Sequence, residues 1–558
     1  MLYYACGHAV MSRLFEELIK KRGFSKDFLN PKYENLPSPW LLPDMKKAIE
    51  RIKVAIGNNE KIIIYGDYDA DGVTASTAMG EVLRLAGGDV VETVLPDRFK
   101  DGYGMSEKVI ECAKKSGAKL VITVDCGSGN KEIVKKLKIV GVDTIVTDHH
   151  ECTMELPAAV AVVNPKRRDI QLCVPEFDDH IDELMKMRDL AGVGVAFMVA
   201  RAMVEDGMVS AGQEKWLLDL VLIGTVCDSM QMSIVNRILC FYGVKVLKKT
   251  RRVGLKELMS RSRTNEITAE TVGFQIGPRL NAAGRMANAD VALRLLQTSS
   301  KVEGAKLAED LEKLNAERKG QQVVAMHEIR EQGVSEDPVL VIVGEWHEGV
   351  LGIVAGKLVE EYRRPVFVFS RAGDGLLKGS GRSFGDFSLA DALKACEGVT
   401  VAGGGHAGAA GVKINERKID LFRERVNDYY RSLGLSDQER FLTMQADLET
   451  DELGEFTLDF LEELKQLEPF GVGNEMPIFE LKDVFILDKR LLGAENQHLR
   501  LLVRGDDGKT MKLMAFYAPE SWRKVESGNR MDILVQVGEN EWNGLRSVEG
   551  RIMDLRGC

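Results

Sequence analysis

From Lys61 onward, short continuous apolar runs alternate with longer stretches in which apolar residues recur at helical spacing. The runs 61–65, 89–95, 119–124 and 143–147 read as buried strands, and the segments 72–87 and 106–117 between them as helices. Strand–helix alternation of this kind predicts an α/β domain on a parallel, doubly wound sheet, in which ligands bind at the carboxyl ends of the strands. The pattern changes at 301–333, which is helix-forming and charge-rich throughout, with Gly333 as its stop. That stretch predicts a long helix connecting two lobes. Strands near 338–343 and 365–369 and a Gly-rich end at 402–411 then mark a second mixed unit. Alternating runs at 478–488, 497–504, 510–516 and 531–538 predict a small β-barrel, with the oligonucleotide-binding (OB) type as one good candidate.

Length and composition narrow the class. At 558 residues the chain exceeds what one core can hold, and about three to four domains are expected. The pattern divides it into an N-terminal segment 1–44, a parallel-sheet domain 45–300, the connecting helix 301–333, a smaller α/β domain 334–435 and a barrel domain 440–558. No apolar run approaches the roughly 20 residues a membrane helix needs. The start has no basic stretch leading into an apolar one, so neither membrane association nor export is expected, and the chain reads as cytoplasmic. Nine cysteines without a C-x-x-C pair fit reduced thiols better than a disulfide framework or a zinc knuckle. A net charge of −10 argues against a protein that coats nucleic acid by bulk attraction, but not against basic residues confined to a groove. One such run is Lys245, Lys248, Lys249, Arg251, Arg252, Lys256, Arg261 and Arg263, opposed only by Glu257; a solvated helix face and a phosphate track both fit it.

The candidate chemistry lies where the acids fall. The first strand runs into Gly66-Asp67-Tyr68-Asp69-Ala70-Asp71-Gly72, three aspartates in five residues at a strand end. Close carboxylates repel one another unless a cation neutralises them, so divalent metal binding is the natural reading; an acidic capping turn would need only one Asp. The third strand ends in Asp125-Cys126-Gly127 and the fourth in Asp148-His149-His150. Singly these read as caps or buried hydrogen-bonding groups; together they put Asp69, Asp71, Asp125 and His149 at one edge of one sheet. A fifth acid, Asp228, ends the apolar run 220–227, where a core reading gives no reason for a charge. Five ligands, mostly carboxylate oxygen with one imidazole, suit two ions of Mn²⁺ or Mg²⁺ better than a structural zinc. Such a pair supports phosphoester hydrolysis.

These motifs resemble those of the DHH phosphoesterase family, named for the Asp148-His149-His150 type of sequence. Over about 45–485 the resemblance extends to the RecJ branch of that family. It is carried by Leu95–Gly104 (LPDRFKDGYG), Gly277–Met286 (GPRLNAAGRM), Trp346–Gly356 (WHEGVLGIVAG), Gly379–Ser383 (GSGRS), Gly403–Gly411 (GGGHAGAAG) and Leu467–Asn474 (LEPFGVGN). The resemblance implies a two-lobed fold, a parallel-sheet DHH domain and a smaller α/β DHH-associated domain joined by a long helix, with a C-terminal OB-like barrel. It implies a single-stranded-DNA-specific exonuclease that degrades DNA in the 5′ to 3′ direction to 5′-mononucleotides, in recombination and repair. A helicase and a single-strand-binding protein are the expected partners, and a monomer the expected state.

Carried over by position, the resemblance implies that Asp69, Asp71, Asp125, His149 and Asp228 hold the two metals, with Asp71 and Asp125 as shared or nearby ligands. His150 faces the scissile phosphate, making Asp71, Asp125 and His150 the catalytic set. Asp67 and Asp148 orient the ligands from behind. Arg98, Arg279, Asn281, Arg285, Ser380, Gly381, Arg382 and His406 bind substrate, with Ser380, Gly381 and Arg382 in a small-residue turn that takes the terminal 5′ phosphate. Tyr65 stands where many family members have a histidine ligand, which implies a change in metal affinity. Ser128 replaces a bulkier apolar residue, and 171–187 is longer and more acidic than usual. The alternatives are a family member acting on short RNA or cyclic dinucleotides, for which the chain is long, and a non-catalytic replication scaffold, which would be expected to lose the metal ligands kept here. A dinucleotide binder fails for want of G-x-G-x-x-G after the first strand.

Overall fold

The structure is a computed structural model. It describes residues 11–556 apart from 103, 153–154, 174–176, 265, 374 and 436–443. Tyr103 of the Leu95–Gly104 motif, the first ten residues of the N-terminal segment and part of the acidic stretch 171–187 therefore lie outside the described residues.

Five parallel strands, β1 (Lys61–Tyr65), β2 (Asp89–Val94), β3 (Leu120–Val124), β4 (Asp143–Thr147) and β5 (Ala161–Val163), form one sheet in the order β2-β1-β3-β4-β5. Alternate residues of β1 serve two cores, as the strand period of two requires. Ile62 and Ile64 pack with the helices Ala70–Leu85 and Gly192–Glu205, whereas Ile63 and Tyr65 pack with Lys108–Ser116 and Lys131–Ile139. The sheet is thus covered on both faces, which is why its strands read as continuous apolar runs. Strand order reverses between β1 and β3, and the crevice at such a switch point is where doubly wound sheets bind ligands.

The helix Lys301–Gln332 leads out of this lobe, its start capped by Ser300 Oγ accepting from the Glu303 amide. It enters a second sheet of β6 (Leu340–Gly344), β7 (Val366–Arg371), β8 (Leu376–Arg382), β9 (Thr400–Gly405) and β10 (Ala409–Asn415), ordered β6-β7-β8-β10-β9. The Ser380-Gly381-Arg382 segment, expected in a turn, is the end of strand β8, paired with both β7 and β10. Small residues there serve close packing instead: a Cβ at Gly379 or Gly381 would lie 2.5 or 2.7 Å from the rings of Phe369 or Phe367.

The C-terminal barrel closes through β12 (Phe479–Leu492), β13 (His498–Arg504), β14 (Thr510–Ala515), β16 (Leu545–Arg556) and β15 (Arg530–Trp542), which returns to β12; β11 (Leu448–Thr450) extends β12 in parallel. Strand β16 did not stand out in the sequence, because its outward positions carry charge. The N-terminal helix Arg13–Arg22 belongs to this unit: Leu14, Phe15 and Leu18 enter the barrel core with Phe460 and Phe479, and Arg22 grips Asp447 through two hydrogen bonds of 2.7 and 2.8 Å. No helix among the described residues is long and apolar enough to cross a membrane.

Candidate active site

The ends of β1, β3 and β4 deliver their acids and histidines to one crevice. The loop after β1 turns directly into the helix Ala70–Leu85, with Asp69 as N-cap: its Oδ1 accepts the Gly72 amide at 3.0 Å. Capping thus uses one carboxylate oxygen of one aspartate and leaves the other acids unexplained. Asp71 is buried, and its two oxygens accept the amides of Gly192 (2.6 Å) and Val193 (3.0 Å) at the start of the helix Gly192–Glu205. Backbone donors at a helix N-terminus, with their partial positive charge, favour the ionised carboxylate without a full side-chain cation that would compete with a metal. Asp125 leaves β3 in a left-handed conformation, φ +58°, a strained position for a non-glycine residue. Asp228 caps the C-terminus of the helix Leu218–Cys227, where the helix dipole disfavours an anion.

These groups converge. His149 Nε2 lies 3.1 Å from Asp125 Oδ1, 3.5 Å from Asp228 Oδ2 and 3.9 Å from Asp71 Oδ2. Three overlapping sets each offer ligand atoms within 4.8 Å of one another: Asp71, His149 and Asp228; Asp67, Asp69 and Asp125; and Asp125, His149 and His150. Asp67, expected behind the ligands, sits in the second set with its buried Oδ1 making no hydrogen bond; Asp125 Oδ1 and His149 Nε2 are likewise buried without one. Burial and then the charge of Asp69 raise Asp71 to about 7, and burial with Asp71 and Asp69 raises Asp228 to about 8. Asp67 and Asp125 are pushed well up by the same causes, burial first. Burial, then the neighbouring His150, lowers His149 to about 3, so its ring is neutral and keeps a lone pair for a ligand. Oxygen-rich, mutually repelling and partly unbonded, this donor set fits hard divalent cations.

Asp148 behaves differently. Its Oδ1 accepts from the His149 and His150 amides and pairs with His150 Nδ1 at 2.8 Å, while Oδ2 accepts the Ser128 amide at 2.9 Å. Burial opposes its ionisation, but the hydrogen bond and charge of His150 outweigh that and hold the carboxyl far below the usual range. Burial likewise opposes the His150 imidazolium, yet Asp148, then Asp228 and Asp67, raise it to about 9. Ser128 has its reason here: Asn164 Nδ2 bridges its Oγ (3.0 Å) and the His150 carbonyl (2.9 Å), a buried polar contact that an apolar side chain would remove. Tyr65 is not aimed at the cluster; its hydroxyl donates to the Gly104 carbonyl at 3.0 Å and accepts the Ser106 amide at 3.1 Å.

Three family models match the chain: the DHH family N-terminal domain over residues 61–225, the DHHA1 domain over 336–432 and the RecJ OB domain over 447–554. A single-stranded-DNA-specific exonuclease RecJ of Bacillus subtilis (strain 168) is 35% identical over 97% of this chain and 67% of its own length. Its counterpart in Dickeya dadantii (strain 3937) is 34% identical over 91% of this chain and 90% of its own. The chain belongs to the RecJ family. Crystalline RecJ from Thermus thermophilus, in complex with Mn²⁺, superposes with a TM-score of 0.82 at 29% identity, covering 98% of this chain and 76% of that one.

Against this RecJ framework the expected substrate residues divide. Arg98, Arg285 and Arg382 form one group of cations, none of them ion-paired with a carboxylate among the described residues, although Asp69 partly offsets the repulsion at Arg285. Burial, then Arg98, lowers Arg285 to about 10, and burial followed by Arg98 lowers Arg382 as well. Arg98 lies 5.2 Å over the Tyr68 ring. Ser380 and Arg382 face the start of the helix Leu351–Tyr362: a Cβ at Gly352 would lie 3.0 Å from Arg382 Nη2 and 3.1 Å from Ser380 Oγ. Arg279 departs from expectation, because its guanidinium is committed to Glu312 through contacts of 2.5 and 3.1 Å and to the Gln275 carbonyl. Asn281 acts on the acidic loop itself, its Oδ1 accepting the Ala70 amide at 2.9 Å. His406 is exposed on the turn between β9 and β10 and joins none of the ligand sets among the described residues.

The basic run also divides. Arg252 is internal, bridging Glu81 (2.7 Å) and Asp219 (3.3 Å), and Arg251 stacks on Trp216. Lys245 and Lys248 line a cleft of about 1270 Å³ that passes Cys227 and Ser229, on either side of Asp228, and ends against Met514, Phe516 and Arg551 of the barrel. The sequence had not marked Gly192, Val193, Gly224 or Arg318. A Cβ at Gly192 would overlap Asp125 Cβ, and one at Gly224 would overlap Asp71 Oδ1, so both glycines are required by the carboxylates beside them.

Proposed function

We propose that this RecJ-family chain is a metal-dependent exonuclease that hydrolyses single-stranded DNA from its 5′ end to 5′-mononucleotides. The observation that carries the reading is the convergence of Asp67, Asp69, Asp71, Asp125, His149 and Asp228 on one crevice, with buried atoms left unbonded. Asp69, Asp71, Asp125, His149 and Asp228 are assigned as holders of two Mn²⁺ or Mg²⁺ ions, joined by Asp67. Bound there, such cations supply Lewis acidity and neutralise charge on a phosphodiester under attack. His150, kept protonated by Asp148, donates a hydrogen bond to the same phosphate. Asp71 is oriented by the Gly192 and Val193 amides, and Asn281 fixes the loop that carries Asp69.

Arg98, Ser380, Gly381 and Arg382 are assigned to the terminal 5′ phosphate, where arginine forks and the start of the helix Leu351–Tyr362 favour an anion. The strand is taken to run from the barrel along the cleft, past Lys245 and Lys248, with the exposed rings of Phe274 and Phe516 as stacking platforms. The cleft is completed within one chain, which supports action as a monomer. A helicase and a single-strand-binding protein in the cytoplasm would present the unpaired strand. Asp125→Ala tests the metal assignment: hydrolysis is expected to fall by about 10³-fold or more, while circular dichroism and binding of oligo(dT) stay near wild type. Mn²⁺ raises the melting temperature of the parent by mass action, and this gain is expected to vanish in the variant. Unchanged turnover would remove Asp125 from the site.

A further inference from the structure

We propose that Arg318 on the connecting helix, together with Arg285, forms a second anion subsite that grips an internal phosphodiester of the bound strand. This rests on the exonuclease reading above and adds to it a contact away from the reacting end.

Arg318 is only 8% exposed, yet no carboxylate of the described residues lies within ion-pair distance of it. Its hydrogen bonds go to neutral amides one helical turn away on either side: Nε and Nη2 donate to Asn315 Oδ1 at 3.2 and 3.0 Å, and Nη1 to Gln322 Oε1 at 3.4 Å. Both amides are buried with it. Three of the guanidinium's five N–H groups are used in this way, which leaves two for a ligand. The nearest charges are cationic. Arg279 is paired with Glu312, whereas Arg285 has no ion pair among the described residues and feels Asp69 only as a partial offset; it shares with Arg318 and Ile353 the wall of the cleft leading to Asp228. Burial, then Arg279, lowers the Arg318 pKa, and Arg318 in turn contributes to the lowering at Arg285. Two desolvated guanidinium groups that repel each other, held in fixed orientation at a cleft wall, are costly unless an anion meets them. In a cleft read as the path of a single strand, the anion of matching charge is a backbone phosphate. The position on the connecting helix, between the two lobes, makes this contact sensitive to how the lobes are set.

A mutant cycle between the side chain and the phosphate tests this. The substrates are 5′-phosphorylated dT12 strands with a neutral methylphosphonate at one internal linkage at a time, turned over with Mn²⁺ by the full chain and by Arg318→Gln. For the parent, neutralising one linkage beyond the scissile one is expected to raise KM about tenfold. In Arg318→Gln the unmodified strand shows that loss already, and neutralising the same linkage adds nothing. Independent losses at every linkage, or coupling confined to the scissile linkage, would overturn the proposal. Thermal unfolding establishes that the variant is folded; if it is not, Arg318→Lys carries the same cycle, with coupling of about threefold expected for a cation lacking the fork and none if the proposal is wrong. A parent that fails to cleave dT12 at all would be a failure of the exonuclease reading instead.

Discussion

Asp148 and Asp125 lie in one cluster and are held at opposite ends of the carboxyl range. Both are buried, so burial alone does not separate them. Asp148 meets a cationic imidazole and three amides, while Asp125 meets other carboxyls, its Oδ1 without a hydrogen bond. The first therefore orients a neighbour, and the second is suited to meeting a cation. The same contrast applies to the arginines: Arg279 has its carboxylate, whereas Arg382 has Ser380 Oγ and the Gly381 carbonyl and no counter-charge among the described residues. We expect Arg382→Ala to reduce the preference for 5′-phosphorylated over 5′-hydroxyl ends by about tenfold or more, the worth of a charge-assisted contact to phosphate. Competing the two strands in one reaction measures it; an equal loss on both ends would place Arg382 away from the terminal phosphate.

The strands β1, β3 and β4 and the acids that follow them were legible because a buried parallel strand is a continuous apolar run and a charge at its end has no packing reason. Asp228 was legible as an anomaly, although it ends a helix and not a strand. What could not be read was the support. Gly192 and Val193 lie far from Asp71 in sequence, and a backbone amide leaves no signature in composition. Ser380 to Arg382 were read as a turn because glycine and serine are poor strand formers, and contacts to Phe367 and Phe369 override that propensity. Arg318 was hidden inside a charge-rich helix whose other cations face water. Gly192→Ala is expected to lower kcat about 100-fold or more, because the new Cβ would occupy the space of Asp125 and a displacement near 1 Å costs that much at a reacting centre. Retention of full activity with the substitution in place would show that the helix Gly192–Glu205 does not set the carboxylates.

At the scale of the molecule, one side chain joins three segments distant in sequence. Arg237, fully buried in the first lobe, donates from Nε to the Phe28 carbonyl (2.7 Å), from Nη1 to Leu467 (2.6 Å) and from Nη2 to Gln466 (2.8 Å), and stacks 4.1 Å over the Phe28 ring. It ties the N-terminal segment and the approach to the barrel onto the sheet domain, which fixes the outer wall of the cleft. Arg237→Gln leaves buried carbonyls unpaired and is expected to destabilise the chain by about 2–4 kcal/mol, measured by denaturant unfolding. Protease cleavage between the lobe and the barrel should quicken with it; unchanged stability would mean that other contacts hold the barrel.

In the proposed function, metal cluster, terminal-phosphate site and single-strand cleft act together to give cleavage one polarity. This is tested most directly by incubating the protein and Mn²⁺ with single-stranded DNA labelled separately at each end, beside matched duplex and RNA strands and an EDTA control. Immediate release of the 5′ label as a mononucleotide, from single-stranded DNA alone and only with metal, is the predicted result. Early release of the 3′ label, or cleavage confined to very short RNA or cyclic dinucleotides, would contradict the account.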